Sequence, residues 1–194
     1  MLKGTPGLNF LQHMEIKGLR DRSTHQKVTD ASQLERLERA LVPHLDAAYN
    51  LARWLVGAPA DADDVAQEAC LRAVKFFDGF RGGDARGWLL AIVRNTCYDW
   101  LRKNRNYTSE DLDRTPDEAP DPETLEVRNA DRRLVRECLD RLPAEYREAL
   151  VLRELEELSY KEIAQVTGVP IGTVMSRLAR ARKRLEEELR KEGM

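Results

Sequence analysis

Residues 158–185, LSYKEIAQVTGVPIGTVMSRLARARKRL, constrain the fold more than any other stretch of this chain. Ser159 followed by Glu162 fits a capping box, in which a hydroxyl and a carboxylate satisfy the free N–H groups of a starting helix. A helix is therefore expected from Tyr160. Ile163, Ala164 and Thr167 give that helix an apolar side. Gly168 takes φ > 0 without steric cost and ends it. Pro170 lacks an N–H, which suits the opening turn of the next helix. That second helix is expected from about Ile171, with Val174, Leu178, Ala181 and Leu185 on one face. Arg177, Arg180, Arg182, Lys183 and Arg184 occupy its other faces, with no acid among them. Two short helices joined at a glycine turn, the second one basic, match a helix-turn-helix whose second helix faces phosphates; the alternative is an ordinary helical hairpin with a basic solvated face.

The net charge over 194 residues is only −2, so the cationic character is local rather than global. A chain of this length forms one or two domains, each with its own core. Charged residues make up 34% and aromatic residues 6%, and Leu, Ala, Arg and Glu abound. That composition favours an all-α fold. No stretch reaches the roughly 18–20 apolar residues of a membrane span, and the N-terminus lacks the apolar segment of a secretory leader. Cys70, Cys97 and Cys138 lie far apart, without CxxC or zinc spacing, and each falls in a helical pattern as a small buried apolar residue. His13, His25 and His44 are scattered. With no nucleophile–base pair, metal cluster or phosphate-binding glycine loop, the reading is a non-enzyme with no metal and no cofactor. A cytoplasmic, reducing setting follows.

Residues 1–31 lack periodicity and read as a loosely ordered tail, with Met14 as an alternative start. Ser32 with Glu35 suggests a second capping box. The helix after it carries Leu34, Leu37, Leu41, Leu45, Ala48 and Leu55 at helical spacing and is broken by Gly57 and Pro59. Asp61 is expected to cap the next helix, with Val65, Ala69, Ala73 and Phe77 inward. Residues 78–83, DGFRGG, form a loop. A third helix over about 84–103 bears Trp88, Leu89, Ile92, Thr96 and Trp100. These three helices make a first domain over 32–105. Residues 106–128 contain Pro116, Pro120 and Pro122 among many acids, which reads as an extended linker. From 129 to 194 a second domain of four helices is expected: one with Leu134, Val135, Cys138 and Leu142, one opened by Pro143 with Tyr146, Leu150 and Leu155, then the helix-turn-helix.

This layout resembles the extracytoplasmic-function (ECF) group of bacterial RNA polymerase sigma factors. Three motifs carry the resemblance in order. DADDVAQEACLRAVKFF, Asp61 to Phe77, looks like region 2.2. FRGGDARGWLLAIVRNTCYDWLRK, Phe80 to Lys103, is similar to regions 2.3 and 2.4. LPAEYREALVLRELEELSYKEIAQVTGVPIGTVMSRLARARKRL, Leu142 to Leu185, looks like region 4. No middle promoter-binding domain separates them, as is usual for this group.

The resemblance implies a factor that lends core RNA polymerase promoter specificity and helps melt DNA. The basic helix would read the −35 element in duplex promoter DNA, through major-groove edges and phosphates. Ser176 and Arg180 would reach bases. Arg177, Arg182, Lys183 and Thr173 would hold phosphates. Some relatives carry Arg and an aromatic residue where this chain has Met175 and Ala179, which leaves the −35 sequence open. The −10 element would be held by Phe80, Arg86, Arg94, Asn95, Tyr98, Arg102 and Lys103, with the 80–86 loop cradling an extruded base and the Asn95 amide bonding a neighbour. The residues alone also allow a plainer reading. In it Trp88 and Trp100 are core, Phe80 plugs the loop, and Arg102 and Lys103 are a solvated helix end. Asp61, Asp64, Gln67, Glu68 and Arg72 would dock the β′ clamp helices of the polymerase, residues 134–155 the β flap, and an anti-sigma factor would be a further partner. The alternatives are a helix-turn-helix regulator that does not replace sigma, or a sigma mimic that sequesters an anti-sigma factor.

Overall fold

A computed structural model describes residues 31–104 and 133–193; the expected linker, and the expected tail but for Ala31, lie outside them. The described residues form helices, turns and loops, with no strand. Helix α1 runs over Ala31–Leu41, followed by a 3-10 turn at Val42–His44 and by α2 over Leu45–Val56. The sequence pattern reads this stretch as one helix, and the structure breaks it at Pro43. Proline has no N–H to give to the preceding turn, and its ring crowds the carbonyl four residues back. Because α1 begins at Ala31, Ser32 lies inside the helix and is not its cap. Leu34, expected inward, is exposed.

Gly57 ends α2 with φ 94°, a conformation that only glycine adopts cheaply. Helix α3, Pro59–Phe76, then starts three residues earlier than expected. Ala58 is its N-cap, with no side-chain bond, and Asp61 sits in the first turn instead of capping it. An acid there still complements the positive end of the helix dipole. After a 3-10 turn at Phe77–Gly79 comes α4, Ala85–Lys103, capped by Asp84, whose carboxylate accepts from the Gly87 N–H at 2.9 Å.

Helices α2, α3 and α4 pack closely because the residues at their contact are small. Ala48, Ala52, Ala62, Ala66, Ala69 and Ala73 are fully buried, and Leu51, Leu55, Leu89, Leu90 and Val93 fill the space between. Small side chains let helix axes approach, which improves the fit of ridges into grooves. Trp88 and Trp100 pack half-buried against this core.

The second half opens with α5, residues 133–140. Helix α6, Ala144–Leu150, passes into a π-helical turn at Val151–Leu155, where the Glu156 N–H bonds the Val151 carbonyl at 3.0 Å. Leu155 is thereby turned outward and exposed. Glu157 follows at φ 55°, in the left-handed region. Then come α7, Tyr160–Thr167, and α8, Ile171–Lys191. One continuous apolar core runs through both halves, from Leu41 to Ala181. Cys70, Cys97 and Cys138 are free thiols buried within the fold. Burial pushes the Cys70 thiol up to about 11 and the Cys97 thiol to about 12, so neither is a thiolate near neutrality.

Candidate nucleic-acid interface

The α7–α8 unit forms as its residues require. Ser159 Oγ accepts from the Glu162 N–H at 3.3 Å while Glu162 Oε2 accepts from the Ser159 N–H at 2.7 Å, closing the capping box. Gly168 adopts φ 70°, ψ 21° and its N–H bonds the Ala164 carbonyl. The Pro170 carbonyl then accepts from Thr173 and Val174 as α8 begins. Val174, Leu178 and Ala181 are buried, which fixes the helix rotation and turns the cationic face outward.

The expected −35 residues are not equivalent on that face. Arg180 is exposed. Lys183 is exposed and 4.0 Å from Glu187. Arg182 pairs with Glu154 at 2.7 Å, half-exposed on both sides. Ser176 is exposed, but its hydroxyl donates to the Thr173 carbonyl at 2.9 Å, leaving its oxygen lone pairs to face outward. Thr173 is half-buried in the first turn, and Arg177 is half-buried beside Glu148. Arg184 lies over the Tyr146 ring at 5.5 Å. Ile171 and Met175 are exposed next to these cations.

Helix α4 divides the expected −10 residues between two faces. Asn95, Arg102 and Lys103 face solvent; Asn95 accepts from Arg94 at 3.3 Å, and Arg102 pairs with Asp99. Arg86, Arg94 and Tyr98 turn instead into the seam between the halves. Arg86 pairs with Glu156 at 2.6 Å. Arg94 lies 4.6 Å over the Tyr98 ring, and its Nε is 2.6 Å from Glu148 Oε1. Those two atoms approach without hydrogen-bond alignment, so the contact is an ion pair and not a linear hydrogen bond. The Tyr98 hydroxyl donates to Glu148 at 3.3 Å. Glu148 is fully buried. Desolvation pushes its carboxyl above the usual range, against the pull of Arg94 and Arg177. Phe80 stacks with Phe77 and Trp88, ring centroids 5.8 and 5.1 Å away, so it plugs the loop onto the helices. Gly82 and Gly83, both at positive φ, carry the chain from Phe80 to the Asp84 cap.

On α3, Asp64 and Glu68 are exposed while Asp61 and Gln67 are half-buried. Arg72 pairs with Glu68 at 2.8 Å and with Asp99 of α4 at 3.0 Å, so it ties two helices together. Its guanidinium, together with that of Arg102, holds the Asp99 carboxyl below the usual range. Beside these acids Leu71, Val74 and Phe76 are exposed, with the Lys75 ammonium 5.8 Å over the Phe76 ring. A folded monomer gains nothing from such an apolar strip at its surface.

Residues 41–107 match the family described as Sigma-70 region 2, and residues 132–185 match Sigma-70, region 4. The ECF RNA polymerase sigma-E factor of Escherichia coli is 36% identical over 141 residues, covering 66% of this chain and 74% of the relative. The chain belongs to the ECF RNA polymerase sigma factors. The ECF sigma factor SigE of Mycolicibacterium smegmatis is 36% identical over 169 residues, 84% of this chain; the match spans 65% of that relative's length. Among solved structures, the sigma factor RpoE of Bartonella quintana, in complex with the anti-sigma factor NepR, superposes with a TM-score of 0.65. That match has 29% identity and covers 80% of this chain and 98% of that one.

Several groups at the seam of this sigma factor were not legible in its sequence. Glu148 and Glu156 meet α4 from 50 to 70 residues away. Arg147 bonds Asp140 at 2.8 Å and the Leu55 carbonyl at 3.3 Å, and Arg136 lies 4.9 Å over the Trp54 ring. The one signal for them is Glu148 itself, a carboxylate leading directly into the apolar run ALVL.

Proposed function

We propose that this sigma factor docks on core RNA polymerase through α3, reads the −35 element with α8, and binds the opened −10 element with α4. The observation that carries the reading is the pairing of an outward-facing basic α8, set by the capped α7 and its glycine turn, with a second basic helix, α4, in one chain. In the −35 contact, Arg180 and the Ser176 oxygen are placed to meet base edges, with Met175 and Ile171 as apolar neighbours. Lys183 and Arg182 are placed for phosphates, and the N–H groups of the first α8 turn, with Thr173, add a further phosphate site. On α4, Asn95 offers both a donor and an acceptor to an unstacked base, with Arg102 and Lys103 supplying charge along the strand. Arg86, Arg94 and Tyr98 join them once freed from the seam.

Docking on the polymerase combines the exposed acids Asp64 and Glu68 with the apolar strip of Leu71, Val74 and Phe76, a mixture suited to the β′ clamp helices. Asp61, Gln67 and Arg72 border it. Residues 134–155 face the β flap in the same scheme. The names of its structural neighbours support an anti-sigma partner. Among the described residues no helix is long and apolar enough to cross a membrane, in keeping with a cytoplasmic factor.

Run-off transcription from a genomic library with purified core polymerase tests the reading. Discrete transcripts are expected only when the protein is added, and the double variant Asp64→Lys/Glu68→Lys is expected to lose them together with co-purification of core. Symmetric footprints from the protein alone, with no core-dependent transcript, would instead mark a dimeric helix-turn-helix regulator.

A further inference from the structure

Two apolar side chains of α8 face solvent beside its cations. Ile171 is 46% exposed and Met175 53% exposed, one turn apart on the same helix. The rotation of α8 is already fixed by buried Val174, Leu178 and Ala181, so neither residue belongs to the core. At about 100° per residue, Ile171, Met175 and exposed Ala179 line one flank of the outward face. Arg180 stands on the opposite flank, with Ser176 between. Ala179 beyond Met175 is small, so Met175 reaches furthest on its flank in the first turns of the helix. Those first turns are the part of a recognition helix that meets base edges.

The chemistry at position 175 restricts what it can read. A thioether has no hydrogen to donate and accepts only weakly, so Met175 cannot pair with the two acceptors of a guanine edge. The apolar group that the major groove does offer is the C5-methyl of thymine. The neighbouring charges favour DNA as the occupant. An apolar protein surface that covered Met175 would strip water from exposed Arg180 and Lys183 without pairing them. A duplex satisfies both cations with phosphates and base edges while it presents its thymine methyls.

We propose that Met175, flanked by Ile171, reads one thymine methyl, so that the −35 element selected by this chain carries an A·T pair at the position that Met175 faces. This rests on the assignment of α8 to the −35 element. It makes Met175 a specificity-determining residue alongside Arg180: one flank of the helix reads by hydrogen bonds, the other by apolar contact.

Holoenzyme assembled from this chain and core polymerase tests the proposal. Promoters randomised over the −35 element are selected by retention on the holoenzyme. Each thymine of the selected element, on either strand, is then replaced in turn by deoxyuridine, which removes only the methyl. One replacement is expected to weaken holoenzyme binding about threefold to fivefold, the worth of one buried methyl group. Met175→Ala is expected to bind the thymine and deoxyuridine promoters alike, both at the weaker level, and Met175→Leu, still apolar, to keep a difference. A selected element without thymine, or tolerance of deoxyuridine at every thymine, overturns the proposal and leaves the −35 assignment standing. A deoxyuridine penalty that Met175→Ala retains overturns the role of Met175. Failure to select any −35 sequence overturns the assignment of α8, and the proposal with it. Loss of core co-purification in Met175→Ala would place the residue against the polymerase and overturn the DNA contact. Met175 is exposed, so Met175→Ala should keep the wild-type Tm; a clear drop would give the residue a packing role and overturn its placement toward DNA.

Discussion

Arg180 and Lys183 differ by three positions on one helix, and the structure gives them different surroundings. Arg180 is exposed midway along α8, one turn beyond Ser176 on the outward face that a recognition helix turns to base edges. Lys183 lies almost a turn further on, beside Glu187. Arg180→Ala is expected to cost about 1–3 kcal/mol of specific binding and to relax preference at one −35 position, while Lys183→Ala weakens binding evenly across sequences. Selection from randomised −35 sites checks this; an unaltered preference for Arg180→Ala would contradict it. Glu148 supplies a second prediction. Its carboxyl is pushed above the usual range by burial, so a proton binds it more tightly in the fold than in the unfolded chain. Its contribution therefore grows as pH falls through that raised value toward the ordinary carboxylate range. Asp99, Glu162 and Glu188 have lowered values, and their stabilisation is lost as pH falls. Glu148→Gln removes only the first effect, so its Tm should drop more steeply than that of wild type as pH falls from neutrality toward the ordinary carboxylate range. Parallel curves would show that Glu148 is not protonated preferentially in the fold.

At the scale of elements, legibility followed the range of the interactions. The α7–turn–α8 unit was readable because its determinants lie within a few residues of one another: the Ser159–Glu162 box, Gly168, Pro170 and the Val174–Leu178–Ala181 stripe. The α1–α2 break and the start of α3 were misread. Leucine spacing continues across Pro43, and Asp61 looks like a cap when Pro59 already opens the helix. The division of α4 into a solvent face and a seam face was not readable at all, because the acids that decide it sit in α6 and its π turn. The turn between α7 and α8 gives the prediction proper to this scale. Gly168 holds φ 70°, and no atom lies within 4 Å of where a Cβ would stand. The cost of Gly168→Ala is therefore conformational rather than steric, about 1 kcal/mol. Thermal or urea unfolding measures it. A much larger loss would mean that the turn is packed more tightly than the structure shows.

For the whole molecule, the decisive fact is that two sequence-matched regions share one core and one charged seam, although the linker between them reads as an extended spacer. Continuity of the core predicts how the free chain unfolds. Trp54, Trp88 and Trp100 are the only tryptophans and all lie in the first half. Their fluorescence therefore follows that half and, through Arg136 over Trp54, its edge at the seam, while far-UV circular dichroism follows helices in both. If Leu55, Leu90 and Val93 lose their packing together with Leu152 and Ile163, the two signals must trace one urea transition with one midpoint, as expected of a single cooperative unit. Glu148→Lys/Glu156→Lys sets cations against Arg94 and Arg86 and is expected to part the halves without removing an apolar contact inside either. Each half then keeps only its own core, and the fluorescence and dichroism midpoints should diverge. Coincident curves in the variant would mean that apolar contact alone binds the halves, and that the buried carboxylates do not control the seam. Divergent curves already in wild type would mean that the halves are independent before any charge is removed.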